Sequence, residues 1–169
     1  MMKSILSALA LALLAGPSFA ADTSASVQRI NPSALSAPHG YTHVISVYGG
    51  RTIYIAGQVP LDPHGTLVGA GDFAAQVRQT FENLKAALDA GGAGFSDVVQ
   101  MTIYVTDMSQ IDTFRKIRDE YMHGPLPTAS LVEVKGLFRK DVMLEISAVA
   151  VMPVAPHDLA RPAERTPKG

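Results

Sequence analysis

The sequence predicts an α+β domain in which two helices pack on one face of a single mixed sheet. Three observations lead there. Two β-rich runs, Tyr41–Val47 and Thr52–Gln58, follow each other across Gly49-Gly50-Arg51 with no room for a crossover helix. Two stretches, Phe73 to about Ala90 and Ser109 to about Tyr121, repeat apolar residues at helical spacing. The remaining β-branched runs, Val98–Val105, Ala129–Val134 and Val142–Val151, complete the order β-β-α-β-α-β-β.

Each element has a local reason. Gly49 and Gly50 can take the positive φ that a tight hairpin asks for, so the first two runs are expected to pair with each other. Leu61-Asp62-Pro63-His64-Gly65 has the composition of a turn. Asp72 is placed to cap the first helix. Phe73, Val77, Phe81, Leu84 and Leu88 form its buried stripe, and Gly91-Gly92 ends it. Ser109 is placed to cap the second helix, with Ile111, Phe114, Ile117 and Tyr121 turned inward. The domain is expected over 41–152, between a flexible lead-in at 21–40 and a proline-rich tail at 153–169.

With 169 residues, 47% of them hydrophobic and 17% charged, the chain suits one globular domain with a single core. A net charge of -1 with no basic block argues against nucleic acid as a partner, since phosphate contacts need a cationic face. Residues 1–20 read as a secretory signal: Lys3, then the apolar Ile5–Ala15, then Ser18-Phe19-Ala20 as the cleavage site. That apolar run falls short of the roughly 20 residues a membrane span needs. The expectation is a periplasmic or secreted protein with no membrane attachment after cleavage. Without cysteine the chain has no disulfide, thiolate nucleophile or cysteine metal site. His39, His43, His64, His123 and His157 show no ligand spacing, so no metal is expected.

Several short blocks then fall in a telling order. They are Ile53–Pro60 (IYIAGQVP), Phe73-Ala74-Ala75-Gln76 with Asn83-Leu84-Lys85, Asp97-Val98-Val99, and Tyr104-Val105-Thr106-Asp107-Met108. Pro127–Val134 (PTASLVEV) and Glu145–Ala150 (EISAVA) close the series. Together they resemble the Rid family, the reactive intermediate deaminases also called the YjgF family. The resemblance implies a chorismate-mutase-like α+β fold and a homotrimer with ligand clefts between subunits. It also implies hydrolysis of small imines derived from amino acids, with no organic cofactor or metal. In that family an arginine follows the Pro-Ala of a Pro-Ala-Arg-Ser/Thr motif and grips the substrate carboxylate, a task suited to a planar bidentate cation. The matching position here is Ala129, whose methyl group cannot pair with a carboxylate. The expectation is therefore hydrolysis of a reactive imine, enamine or related small molecule by a member set apart from the standard 2-iminoacid deaminases.

Glu145 matches the family glutamate that holds or activates the attacking water, although a carboxylate facing solvent would leave the same pattern. Gly57 and Gln58 match the backbone block of the cleft, or form a strand-end bulge. Tyr41 matches the family aromatic. Ser130 and Thr128 alternate with Ala129 and should point to the opposite face. Ser130 has no His-Asp partner in the sequence to activate it, which argues against a serine hydrolase. Arg115, one residue past Phe114, is a candidate replacement cation or an ordinary solvated arginine. Arg139 and Lys140 are further cations in the loop before the last strand. A non-catalytic small-molecule-binding trimer is the alternative to a hydrolase.

Overall fold

The computed structural model describes residues 25–154. The expected signal segment and most of the tail lie outside that span. Within it run β1 (Ser26–Ile30), β2 (Val44–Tyr48), β3 (Arg51–Gln58), α1 (Phe73–Ala90), β4 (Val98–Val105), α2 (Ile111–Tyr121), β5 (Thr128–Glu133) and β6 (Leu144–Met152). Strands β3, β6, β4 and β5 form a mixed sheet in that order, with β4 and β5 parallel and the other pairs antiparallel. The parallel pair needs a crossover, and α2 supplies it. No described helix is long and apolar enough to cross a membrane.

The sheet turns one face to the helices. Met101, Ile103 and Val105 of β4, with Leu144, Ile146, Ala148 and Ala150 of β6, are buried against them. The alternate residues, Thr102, Tyr104, Glu145 and Ser147, are only half-buried and lie on the other face. From α1, Phe81, Leu84 and Leu88 fill the core, and each such burial contributes about 1.5–3 kcal/mol. Phe81 stacks on Tyr121 of α2 with ring centroids 5.0 Å apart, and the Tyr121 hydroxyl donates to Glu82 Oε1 at 2.8 Å. Loss of solvent around that hydroxyl, with the neighbouring Glu82 carboxylate, pushes the Tyr121 pKa up to about 12.

Helix α1 starts as its sequence asks, with Asp72 accepting from Ala75 N at 3.0 Å. Two polar residues of α1 brace the surroundings. Buried Gln76 donates from Nε2 to Gly69 O and Asp141 O, and its Oε1 accepts from Met143 N. Asn83 donates to Val59 O and Leu61 O, which holds the turn after β3 against the helix.

Three expectations need correction. The lead-in is not all flexible, because Ser26–Ile30 forms β1 and pairs antiparallel with β2 from Ser26↔Tyr48 to Ile30↔Val44. Its Val27 and Arg29 are half-buried while Ser26, Gln28 and Ile30 are exposed, an alternation obscured by the small polar residues before it. The Gly49-Gly50 turn does have positive φ at both residues (69° and 86°), but β2 pairs with β1 and β3 with β6. Gly50 sits against the end of β6, where a Cβ would come within 2.8 Å of Met152 O. The strands it joins therefore belong to different hydrogen-bonded groups. Finally, Ser109 does not cap the second helix. It lies inside a 3₁₀ turn, Met108–Gln110, opened by Asp107, whose Oδ1 accepts from Ser109 N at 2.9 Å.

Candidate functional site

Strand register decides which side chains can meet. Ala129 of β5 lies opposite Met101 of β4, which in turn lies opposite Ala148 of β6. Met101 and Ala148 are buried toward the helices, so Ala129 faces α2. Thr128 and Ser130 pair with Gln100 and Thr102 and face the other way.

A cavity of about 190 Å³ lies between this part of the sheet and α2. Met101, Ile103, Ala129 and Leu131 line it from the sheet, and Phe114, Arg115 and Arg118 from α2. His39, Gly40 and Tyr41, the segment entering β2, close one side. Three hydrogen bonds fasten that segment. Thr42 N donates to Pro127 O at 2.9 Å, Thr42 Oγ1 to Leu126 O at 2.5 Å, and Arg118 Nη1 to Gly40 O at 2.9 Å. The Tyr41 and His43 rings meet nearly perpendicular, with centroids 5.1 Å apart.

The charged side chains lining this cavity are both cationic. Arg115 is 42% exposed and reaches Asp112 at 3.5 Å. Arg118 is only 11% exposed and donates from Nε and Nη2 to Asp119 Oδ1 at 2.9 and 2.8 Å. Sequence reading singled out Arg115 and missed Arg118. The signal was present, since Arg118 follows Phe114 by one helical turn and so shares its inward face. Arg139 lies elsewhere, paired with Asp141 in its own loop at 2.7 Å.

Glu145, Gly57, Gln58 and Ser130 are not brought to this cavity. Glu145 lies opposite Tyr104 on the outer face, between the buried Leu144 and Ile146. Its side chain packs over Gly57, where a Cβ would come within 2.7 Å of Glu145 Cδ. The β3–β6 register shifts between Ile55 and Gln58, so this block is a strand-end irregularity, and Gln58 Nε2 donates to Ala56 O at 3.1 Å. The expected site residues thus fall into two groups. Tyr41, Arg115 and Ala129 are under α2, whereas Gly57, Gln58, Ser130 and Glu145 are on or beside the outer face. Among the described residues no group of three or more His, Asp or Glu side chains is placed to hold a metal.

Comparison with known proteins adds a decisive observation. A family model described as Endoribonuclease L-PSP matches residues 31–152, most of the chain. The chain belongs to the Rid (YjgF) family. It is 38% identical to a RutC family protein of Pyrococcus horikoshii over 62% of this chain and 82% of that one. It is 36% identical to the mouse 2-iminobutanoate/2-iminopropanoate deaminase over 66% of this chain and 80% of that one. In three dimensions it resembles the Rid family protein YyfB of Yersinia pestis, with a TM-score of 0.69, 32% identity, and coverage of 75% of this chain and 98% of that one. The Rid fold is α+β, as the element order led one to expect, with two helices and a mixed sheet.

Proposed function

We propose that this Rid protein binds a small carboxylate-bearing imine in the cavity under α2 and hydrolyses it to the 2-oxo acid and ammonia, as a homotrimer. The observation that carries this reading is the cavity itself. It is small, it is walled by Tyr41 and Ala129, and its charged side chains are both arginines. Its volume, about 190 Å³, lies below the roughly 300–1,000 Å³ of sites that take drug-sized ligands, which suits a three- or four-carbon acid. The mouse relative is named for imino acids of that size.

In the reaction a water oxygen adds to the imine carbon, the nitrogen takes up protons, and the C–N bond breaks to release ammonia. A carboxylate that passes one proton from the attacking water and a second from the resulting carbinolamine hydroxyl to the nitrogen balances the conversion to 2-oxo acid and ammonia, and Glu145 is our candidate. Because Glu145 and Ala129 lie on opposite faces of one sheet, the hydrolytic site requires the outer face of a neighbouring subunit to approach the cavity. Ala129 at the arginine position of the motif leaves the ligand's negative end to another cation. Export through the 1–20 leader belongs to the same proposal, and N-terminal sequencing of the periplasmic protein, expected to begin at Ala21, tests it.

The test of activity adds purified protein to an amino-acid oxidase that generates 2-iminopropanoate. Faster pyruvate appearance is expected, with loss of at least a hundredfold in Glu145→Gln. No acceleration, under conditions where the mouse relative accelerates, removes the hydrolase reading. The separation of Glu145 from the cavity favours one second reading, a trimer that binds the same class of acid without turnover. That reading requires ligand protection against thermal unfolding, undiminished in Glu145→Gln. RNA cleavage by the purified protein, suppressed by the same substitution, would oppose both readings.

A further inference from the structure

We propose that Arg118, on α2, is the group that holds the carboxylate in the cavity, displacing that task from β5 to the helix above it. This rests on the cavity being the binding site, but not on turnover. Ala129 presents only a methyl group to the cavity, so no charge comes from the sheet. The two remaining cations differ in burial. Arg115 is 42% exposed, so its attraction for an anion is largely screened by water. Arg118 is 11% exposed, where an ion pair is less screened and its geometry more closely held.

Arg118 is also pre-positioned. Nε and Nη2 grip Asp119 Oδ1, and Nη1 grips Gly40 O. A guanidinium has five N–H groups, so two remain for a ligand after these three bonds. Little side-chain entropy is left to lose when an anion binds, which favours affinity. Gly40 makes room for this arrangement, since a Cβ there would come within 2.8 Å of Arg118 Nη1. Its φ of 85° also suits glycine. Arg118 therefore joins the segment carrying His39 and Tyr41 to the helix side of the cavity, and an anion bound to it touches both walls.

Pyruvate binding to the full mature protein, measured by titration calorimetry with its neutral amide pyruvamide beside it, tests the assignment without requiring catalysis. The wild type should bind pyruvate at least tenfold more tightly than pyruvamide. Arg118→Gln should erase that preference, and Arg118→Lys should retain only part of it. Arg115→Gln should change it less than threefold. Adding Ala129→Arg to Arg118→Gln should restore carboxylate preference from the sheet side, which also shows that the Gln variant keeps its fold. Equal binding of acid and amide by the wild type overturns the proposal, as does a preference that survives Arg118→Gln and vanishes in Arg115→Gln. An Arg118-dependent preference in a protein that hydrolyses no imine upholds this proposal while removing the hydrolase reading. Hydrolysis that survives Arg118→Gln at the wild-type KM does the reverse.

Discussion

Gly57→Ala separates the Glu145 carboxylate from the stability of the fold. A Cβ on Gly57 would stand 2.7 Å from Glu145 Cδ and 2.9 Å from Cγ, where ordinary contact begins at 3.4 Å. The Glu145 side chain must therefore retreat by at least about 0.7 Å, and further at the oxygen nearest the new methyl. Gly57 does not hold a positive φ, so alanine meets no backbone strain there. The obstacle is the flexible end of a half-buried side chain, which can swing toward the open outer face. Gly→Ala also removes about 0.4–1 kcal/mol of unfolded-chain entropy, which offsets part of the crowding. We expect a net stability change within about 1 kcal/mol. A catalytic group misplaced by about 1 Å can cost a hundredfold in rate. Thermal unfolding followed by circular dichroism, paired with the oxidase-coupled assay, reads both quantities. The expected result is a near-native melting temperature with roughly a hundredfold slower hydrolysis. Destabilisation beyond about 3 kcal/mol would show that Glu145 cannot yield and refute the steric reasoning. An unchanged rate would detach Glu145 from the chemistry.

Two further predictions concern the scaffold. Gln76→Ala removes the buried amide that serves Gly69 O, Asp141 O and Met143 N, and should cost about 2–4 kcal/mol, measured by urea unfolding with an unchanged m-value. Tyr121 is held protonated in the folded state, with a pKa near 12 against an ordinary value of 10.0. Its contribution is complete below pH 10, where both states are protonated, and is lost as pH rises toward about 12 because the unfolded chain ionises first. Denaturant midpoints across that interval should fall more steeply in the wild type than in Tyr121→Phe, and parallel slopes would overturn the assignment.

The parts of the fold legible in the sequence share a physical trait, which is that their determinants are local. Helix α1 follows from the Phe73–Leu88 stripe between Asp72 and Gly91, and β4 coincides with the run Val98–Val105. Strand β1 was hidden because five residues of mixed polarity gain order only by pairing with β2, almost twenty residues along the chain. Ser109 does not cap α2 because a 3₁₀ turn capped by Asp107 precedes the helix, which then starts after Gln110 with no side-chain cap, a boundary shift that propensity does not resolve. Arg118 was legible in its spacing from Phe114, but a buried arginine and a solvated one look alike until the segment at Gly40 is seen to cover it.

By itself, the sequence determined the family, the order of the principal elements, and the alternation that turns Ala129 away from Thr128 and Ser130. Tertiary structure alone decided which of these residues share a space. Side chains alternate faces along a strand, so the pairings Ala129↔Met101 and Tyr104↔Glu145 put Ala129 under α2 and Glu145 on the far side of the sheet. That register is fixed by burial of Met101, Ile103, Leu144 and Ile146 against the helices, an energy spread over the whole core. No short motif contains it.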